Sequence, residues 1–556
     1  MKNDLPLRRL DQMLSHYQLG QSYEVTLGEL EEVFFTIRRN ASSILKTLQQ
    51  KGWIDWTPGV GRGKASQLVV RVSLETALSE AIRGDLATGR FDRLAKYVQS
   101  YQSLAPQLLR AAMQETDEWQ RAHNALTVTH YPYVRVLTPS DTYWSAELQV
   151  SSALYDTLLR IDEHGFLVDH LAFDHAINDD GTIYRFWLRP NVKCHDGLPL
   201  TPEDVVSSLR RLRDTNGPFQ WLFRQVVSVR WESACQAVVI TLEGPNPLFI
   251  YALTTANASI TSQRPRTYAQ GTCFIGTGPL QLEAWEPHQL TLKRNPHYFA
   301  DSALLSDITL FHQGSELDRV MSLHHEGETS EQLDIHAYSI LAANPTASCP
   351  LDPDDIQALM AYVAAQRPEH TERTQLRTVH HFDRCWPETA NRPSLRGRVV
   401  LGHPAWRLHY KQALVDWVVA TLEHTGLEVT CLTLDNLDDL STYRPHVDFL
   451  LTEEILEPPL EYGLYDWLLT SGVLRYCLAE PALERHRQQV QGVMAQYSGR
   501  DDLLALIAPF VSERRILPLF YGRKIINRHP QIAGLHMKSN GYLDLHRLWI
   551  QTPDTD

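Results

Sequence analysis

The chain has 556 residues, 43% of them hydrophobic and 21% charged, with a formal net charge of −14. That balance excludes disordered and fibrous classes, and at ~100 to 200 residues per domain the length points to about three compact units. No apolar run approaches the ~18 residues of a membrane span, and the opening MKNDLPLRRLDQML alternates charges with leucines, so neither a span nor an export signal is expected and the chain reads as cytoplasmic.

The charge is unevenly placed. Residues 1–72 hold 10 Lys+Arg against 7 Asp+Glu, a balance of +3, and the remainder carries −17. Helical periodicity starts at once with Leu7, Leu10, Met13, Leu14 and Tyr17, and Gly20 ends it. Thr26-Leu27-Gly28-Glu29 forms a capping box, so a second helix begins near Leu27. A third is expected from Thr36, with Ile37, Ala41, Ile44, Leu45 and Leu48 in one apolar arc. Its other face carries Thr36, Arg38, Arg39, Asn40, Ser42, Ser43 and Lys46, residue types that bond phosphates and base edges.

Gly52 stops this helix, Trp53–Trp56 reads as a strand, and Leu68, Val70 and Val72 alternate in a return strand. Between them Gly61-Arg62-Gly63-Lys64 makes a basic hairpin tip suited to a phosphate backbone. Helix trio plus wing reads as a winged helix-turn-helix binding double-stranded DNA through those residues with Arg62 and Lys64. The alternative is a helical cap with a solvated charged face. Residues 73–124 show helix-period runs and read as a helical connector: a spacer, a dimerisation element or a cap.

From about residue 125, short strands and helices alternate in an α/β pattern. Tyr184–Leu188 alternates as a strand, Asp196-Gly197 makes a tight turn, and Thr201-Pro202-Glu203-Asp204 opens a helix. This stretch resembles the hallmark of the family 5 extracellular solute-binding proteins, which bind oligopeptides, dipeptides and nickel for ABC importers. Ile275-Gly276-Thr277-Gly278-Pro279 and Leu292–Phe299 resemble that family's next two elements, in its order. A winged helix ahead of such a domain, with Gly52-Trp53, Gly61–Lys64 and the tail Gly541–Trp549, resembles the SgrR family of sugar-phosphate-stress regulators. The resemblance implies a transcription factor, often an activator of a regulatory RNA and a sugar exporter.

The expected architecture is therefore multidomain. A winged helix-turn-helix at 1–72 and a helical connector at 73–124 precede a two-lobed α/β periplasmic-binding-protein-like domain of type II. Its first lobe is placed at 125–310, completed by 511–556, and its second at 311–510. Ligands of open α/β sheets gather at strand carboxyl ends, which nominates His403, Trp406, Glu453 and Glu454, although each also reads as a solvated loop residue.

The seven cysteines stand singly and read as buried free thiols, and the 24 histidines include adjacent pairs, His324-His325 and His380-His381, which cannot share a face. No catalytic motif, metal site or cofactor is expected. Expected partners are double-stranded DNA and a small-molecule ligand such as a sugar phosphate, with RNA polymerase as an open third. The competing reading is the solute receptor of an importer for peptides or nickel, against which the absent export signal counts.

Overall fold

A computed structural model of the chain describes residues 5–551 except 60–64, 88–89, 103, 110, 113–123, 143, 216–218, 313–328, 345, 347, 368–376, 379–388, 405–408, 435–436, 438, 529–530 and 537–540. Arg62, Lys64, Trp406 and the two histidine pairs lie outside the described residues. The chain divides into two compact units, 1–133 with 287–291 and 307–326, and 134–286 with 292–306 and 327–556.

In the first unit, helix α1 (Leu5–Leu14) buries Leu7, Leu10 and Met13, as its periodicity predicts. Strand β1 (Ser22–Val25) follows, then α2 (Leu27–Val33), α3 (Arg38–Gln50), β2 (Ile54–Thr57) and β3 (Ser66–Val70). The strands form an antiparallel sheet in the order β1-β3-β2. The capping box is formed: Thr26 Oγ1 accepts from the Glu29 amide at 3.3 Å, and Glu29 Oε2 accepts from the Thr26 amide at 2.7 Å. This is a winged helix-turn-helix. Strand β1 escapes sequence reading because only Val25 of its four residues is buried, too little for alternation to stand out.

Helices α4 (Leu74–Ala87) and α5 (Phe91–Ser100) supply the connector. Their Ala77, Leu78, Ile82, Leu94 and Tyr97 lie in one buried cluster with Leu10, Leu45 and Leu68, so the connector shares the winged helix's core. Buried Asp85 ties the two helices, accepting from Arg93 Nη1 at 3.0 Å and Tyr97 Oη at 2.8 Å. Strand β4 (Ala125–Tyr131) pairs in parallel with the strand Asp307–His312, whose Phe311 enters the same cluster.

The second unit is built on two main sheets. One is antiparallel, in the order Ala172–Ile177, Ile183–Leu188, Ala237–Leu242, Val226–Glu232. Beside it the helix Pro202–Asp214 starts as its sequence dictates: Thr201 caps it, Pro202 takes its first turn, and Asp204 Oδ2 accepts from the Thr201 amide at 2.9 Å. Gly276 and Gly278 pack against backbone, where a Cβ would stand 2.1 Å from the Leu154 carbonyl oxygen and 2.5 Å from that of Ala153. The Gly-Thr-Gly run is thus a packing device.

The other sheet has six strands, in the order Arg377–Thr378, Ile516–Arg528, Thr329–Ala343, Phe449–Ile455, Arg398–Pro404, Glu428–Leu434. Its last three strands run parallel, with the helix His409–Glu423 crossing from Arg398–Pro404 to Glu428–Leu434. One buried cluster joins residues from both sheets, from Leu158 to Phe520.

Candidate DNA interface and ligand site

Helix α3 packs through Ala41, Leu45 and Leu48, and this burial turns the opposite face outward. Arg38, Arg39, Asn40, Ser42, Ser43 and Lys46 are all exposed, as that arc requires, and Thr36 is half-buried in the turn before the helix. Among the described residues, Arg38, Arg39 and Lys46 enter no ion pair, whereas Arg71 on the sheet side is paired with Asp55 at 2.6 Å. A cationic face with no internal partner can meet phosphates without first breaking a bond.

The helix start differs from the sequence expectation. It begins at Arg38 with Ile37 as its cap, not at Thr36, because the Thr36 amide donates back to the Glu31 carbonyl at 3.0 Å and closes α2. Ile37 consequently leaves the apolar arc and is 68% exposed.

In the second unit, the parallel strands Arg398–Pro404 and Phe449–Ile455 point their carboxyl ends the same way, which places His403 and Glu453 at one edge of the sheet. His403 is buried, its Nδ1 2.8 Å from the Pro404 carbonyl oxygen. Glu453 is half-buried, opposite Ser339 in register. Glu454 is committed elsewhere. Its carboxylate accepts from Ser471 Oγ at 2.7 Å, the Val473 amide at 3.0 Å and Trp467 Nε1, which fastens the helices Leu460–Thr470 and Gly472–Cys477 to the strand. Burial pushes its pKa up although these bonds oppose the shift. Trp406 lies beyond the described residues.

Sequence reasoning missed a buried polar group nearby on the helix Leu460–Thr470. Tyr465 Oη receives Asn246 Nδ2 at 2.9 Å and Gln225 Nε2 at 3.1 Å. Next to it, Asp466 is pushed up to about 8, first by burial and then by the charge of Glu457, with the Thr470 hydroxyl opposing. The only signal available was an Asp amid aromatic and apolar residues, Glu461-Tyr462-Gly463-Leu464-Tyr465-Asp466-Trp467-Leu468. Among the described residues one trio has metal-ligand proximity, Asp169, Asp174 and His175, and there His175 Nδ1 already bonds Asp169 at 2.7 Å.

Two family models match the chain: Sugar transport-related sRNA regulator N-term over residues 8–120, and Bacterial extracellular solute-binding proteins, family 5 Middle, over residues 167–347. The chain thus carries an SgrR-type N-terminal domain followed by a family 5 solute-binding domain. The HTH-type transcriptional regulator SgrR of Salmonella typhimurium is 22% identical over 556 residues, covering 96% of this chain and 97% of its own. Its counterpart in Yersinia pestis is 25% identical over 569 residues with the same coverage. The solved NikA of Staphylococcus aureus, in complex with Ni(L-His)2, superposes with a TM-score of 0.64 at 12% identity, covering 77% of this chain and all of that one. At that identity the likeness establishes the fold alone. The second unit has the two-lobed solute-binding architecture expected of family 5. Among the described residues no helix is long and apolar enough to cross a membrane.

Proposed function

We propose that the chain is a ligand-responsive transcription regulator of the cytoplasm that binds double-stranded DNA through α3 and the wing, and holds a small solute between the lobes of its solute-binding domain. The observation that carries this reading is the exposed face of α3, where Arg38, Arg39 and Lys46 enter no ion pair among the described residues, on a winged helix that the regulator N-terminal family model matches. Arg62 and Lys64 at the wing tip complete the phosphate contacts.

The solute is of the sugar-phosphate or related metabolite class, met by His403, Trp406 and Glu453. Glu454 acts as a positioning residue, because both its oxygens already accept bonds. RNA polymerase is a further partner through which the bound regulator acts. The Salmonella relative is named a regulator, and the reading gives this chain no catalytic role.

A solute that contacts both lobes favours the state in which they close, and a state that changes DNA affinity must couple the two ligands reciprocally. The test has two stages. Thermal scans of the full chain against sugar phosphates, sugars, peptides and nickel salts identify a solute by a raised melting temperature. Fluorescence anisotropy on labelled duplex with and without that solute then measures the coupling. The reading expects a change in DNA affinity, matched by an equal change in solute affinity when duplex is present. A solute that stabilises the chain and leaves DNA affinity untouched removes the coupling.

A further inference from the structure

The turn between α2 and α3 breaks three local rules within three residues. Helix α2 closes with two backbone bonds, Thr36 amide to Glu31 carbonyl at 3.0 Å and Phe35 amide to Glu32 carbonyl at 3.1 Å. That closure requires a left-handed residue after the cap, a position that favours glycine, and here it is Phe35 at φ 47°. For a bulky L-residue the left-handed region is sterically strained. The phenyl ring recovers nothing by burial, since Phe35 is 86% exposed.

Ile37 repeats the pattern. It caps α3 with no side-chain hydrogen bond, in a place where serine, threonine, asparagine or aspartate would bond the first turn, and its side chain is 68% exposed. The turn itself is held firmly from inside: Phe34 is fully buried, its carbonyl accepts from Arg9 Nη1, and the Arg9 guanidinium lies 5.9 Å from its ring centroid. Phe35 and Ile37 are therefore presented by a fixed backbone, beside the exposed Arg38 and Arg39, at the end of α3. In helix-turn-helix readers it is the N-terminal end of the recognition helix that meets base edges in the major groove.

We propose that Phe35 and Ile37 are specificity residues that contact thymine methyl groups in the major groove, while Arg38, Arg39 and Lys46 hold the backbone. The inference rests on the DNA-binding reading above. Its chemistry is that of apolar side chains against the one apolar group that a base pair offers in that groove, the C5 methyl of thymine. The adjacent cations make DNA the occupant. An apolar protein surface would have to bury Arg38 and Arg39 against it, whereas phosphates flank every groove.

The test uses the full chain and a duplex that it enriches from a random-sequence pool. Each thymine of that duplex is replaced in turn by deoxyuracil, which removes the methyl group and nothing else. For the wild-type chain, affinity should fall about fourfold at one or two positions, the worth of one buried methyl-sized group. Phe35→Gly and Ile37→Ser each suit the local backbone better than the native residue, so both should melt at or above the wild-type temperature. Both should bind random duplex as the wild type does, with the uracil effect lost at the position each residue contacts. Uracil insensitivity of the wild type, or full sensitivity retained by both variants, overturns the inference and leaves DNA binding standing. A changed oligomeric state with sensitivity intact would assign the two residues to a protein partner and overturns it equally. Failure of the wild type to bind any duplex removes the DNA reading and this inference together.

Discussion

In the first unit Arg38, Arg39 and Lys46 stand in water, whereas in the second unit Asp156, Asp204 and Asp466 lie inside, surrounded by the groups that satisfy or neutralise them. An exposed charge is available to a partner and contributes little to folding. A buried one organises its surroundings and is costly to disturb. Chemistry that faces outward should therefore be removable without harm to the fold, and chemistry that faces inward should not.

Asp156 is the strongest case. It accepts from His170 Nε2 at 2.7 Å, Thr277 Oγ1 at 2.7 Å and Tyr298 Oη at 3.1 Å, joining the strand region to the Gly-Thr-Gly run and the Asn-Pro turn. Burial alone would raise its pKa, but these bonds, led by His170, outweigh burial and hold it below the ordinary value. Asp156→Ala strands the buried His170 and Thr277 and the half-buried Tyr298, and unfolding of the second unit in denaturant should lose about 3–5 kcal/mol. A loss under about 1 kcal/mol would mean water replaces the carboxylate, and the contrast between the units would weaken. The sign with pH follows from the lowered value: the contribution is present above the unfolded pKa of about 3.9 and disappears as the medium is acidified through the folded value.

Asp466 has the opposite sign. Raised to about 8 by burial and by Glu457, it keeps a proton in the folded state that the unfolded chain releases above about pH 4. Its contribution is therefore full below about pH 4, falls as the pH climbs toward 8, and levels off above it. Asp466→Asn cannot ionise and should flatten that slope, so its stability relative to wild type should be greater at pH 8 than at pH 5 by a few kcal/mol, since each tenfold difference in proton affinity between the folded and unfolded states is worth about 1.4 kcal/mol. Parallel stability curves for the two proteins would show that Asp466 is already ionised in the folded state.

The same contrast explains what can be read in the sequence. The first helices are legible because each has one wet face and one dry, so Leu7, Leu10 and Met13 or Ala41, Leu45 and Leu48 repeat at the helical period. The start at Thr201-Pro202 is legible because caps are local chemistry. What fails is also local in cause. Period alone points Ile37 inward, because nothing in its neighbours reveals that Phe35 takes the left-handed place of a glycine. In the second unit Glu454 reads as an exposed strand-end acid. Its partners Ser471 and Val473 lie 17 and 19 residues on, a distance at which sequence pattern carries no contact. Tyr465 is hidden for the same reason, since it meets Asn246 across 219 residues.

The smallest expected change in stability falls where the functional change is greatest, and it tests the outward half of the contrast. Arg39 and Lys46 sit on the exposed face of α3, opposite Ala41, Leu45 and Leu48. With no ion pair to lose among the described residues, Arg39→Ala or Lys46→Ala should alter unfolding free energy by less than about 0.5 kcal/mol. If each side chain neutralises one phosphate, its loss releases one counterion fewer on binding, so the slope of log affinity against log salt should shrink by about 1. Affinity should fall across all sequences alike, which separates these backbone contacts from the methyl contacts assigned to Phe35 and Ile37. A variant that keeps both its affinity and its salt slope would take that residue out of the interface. A variant that unfolds would show that the face is packed rather than wet, and the difference drawn between the two units would not hold for α3.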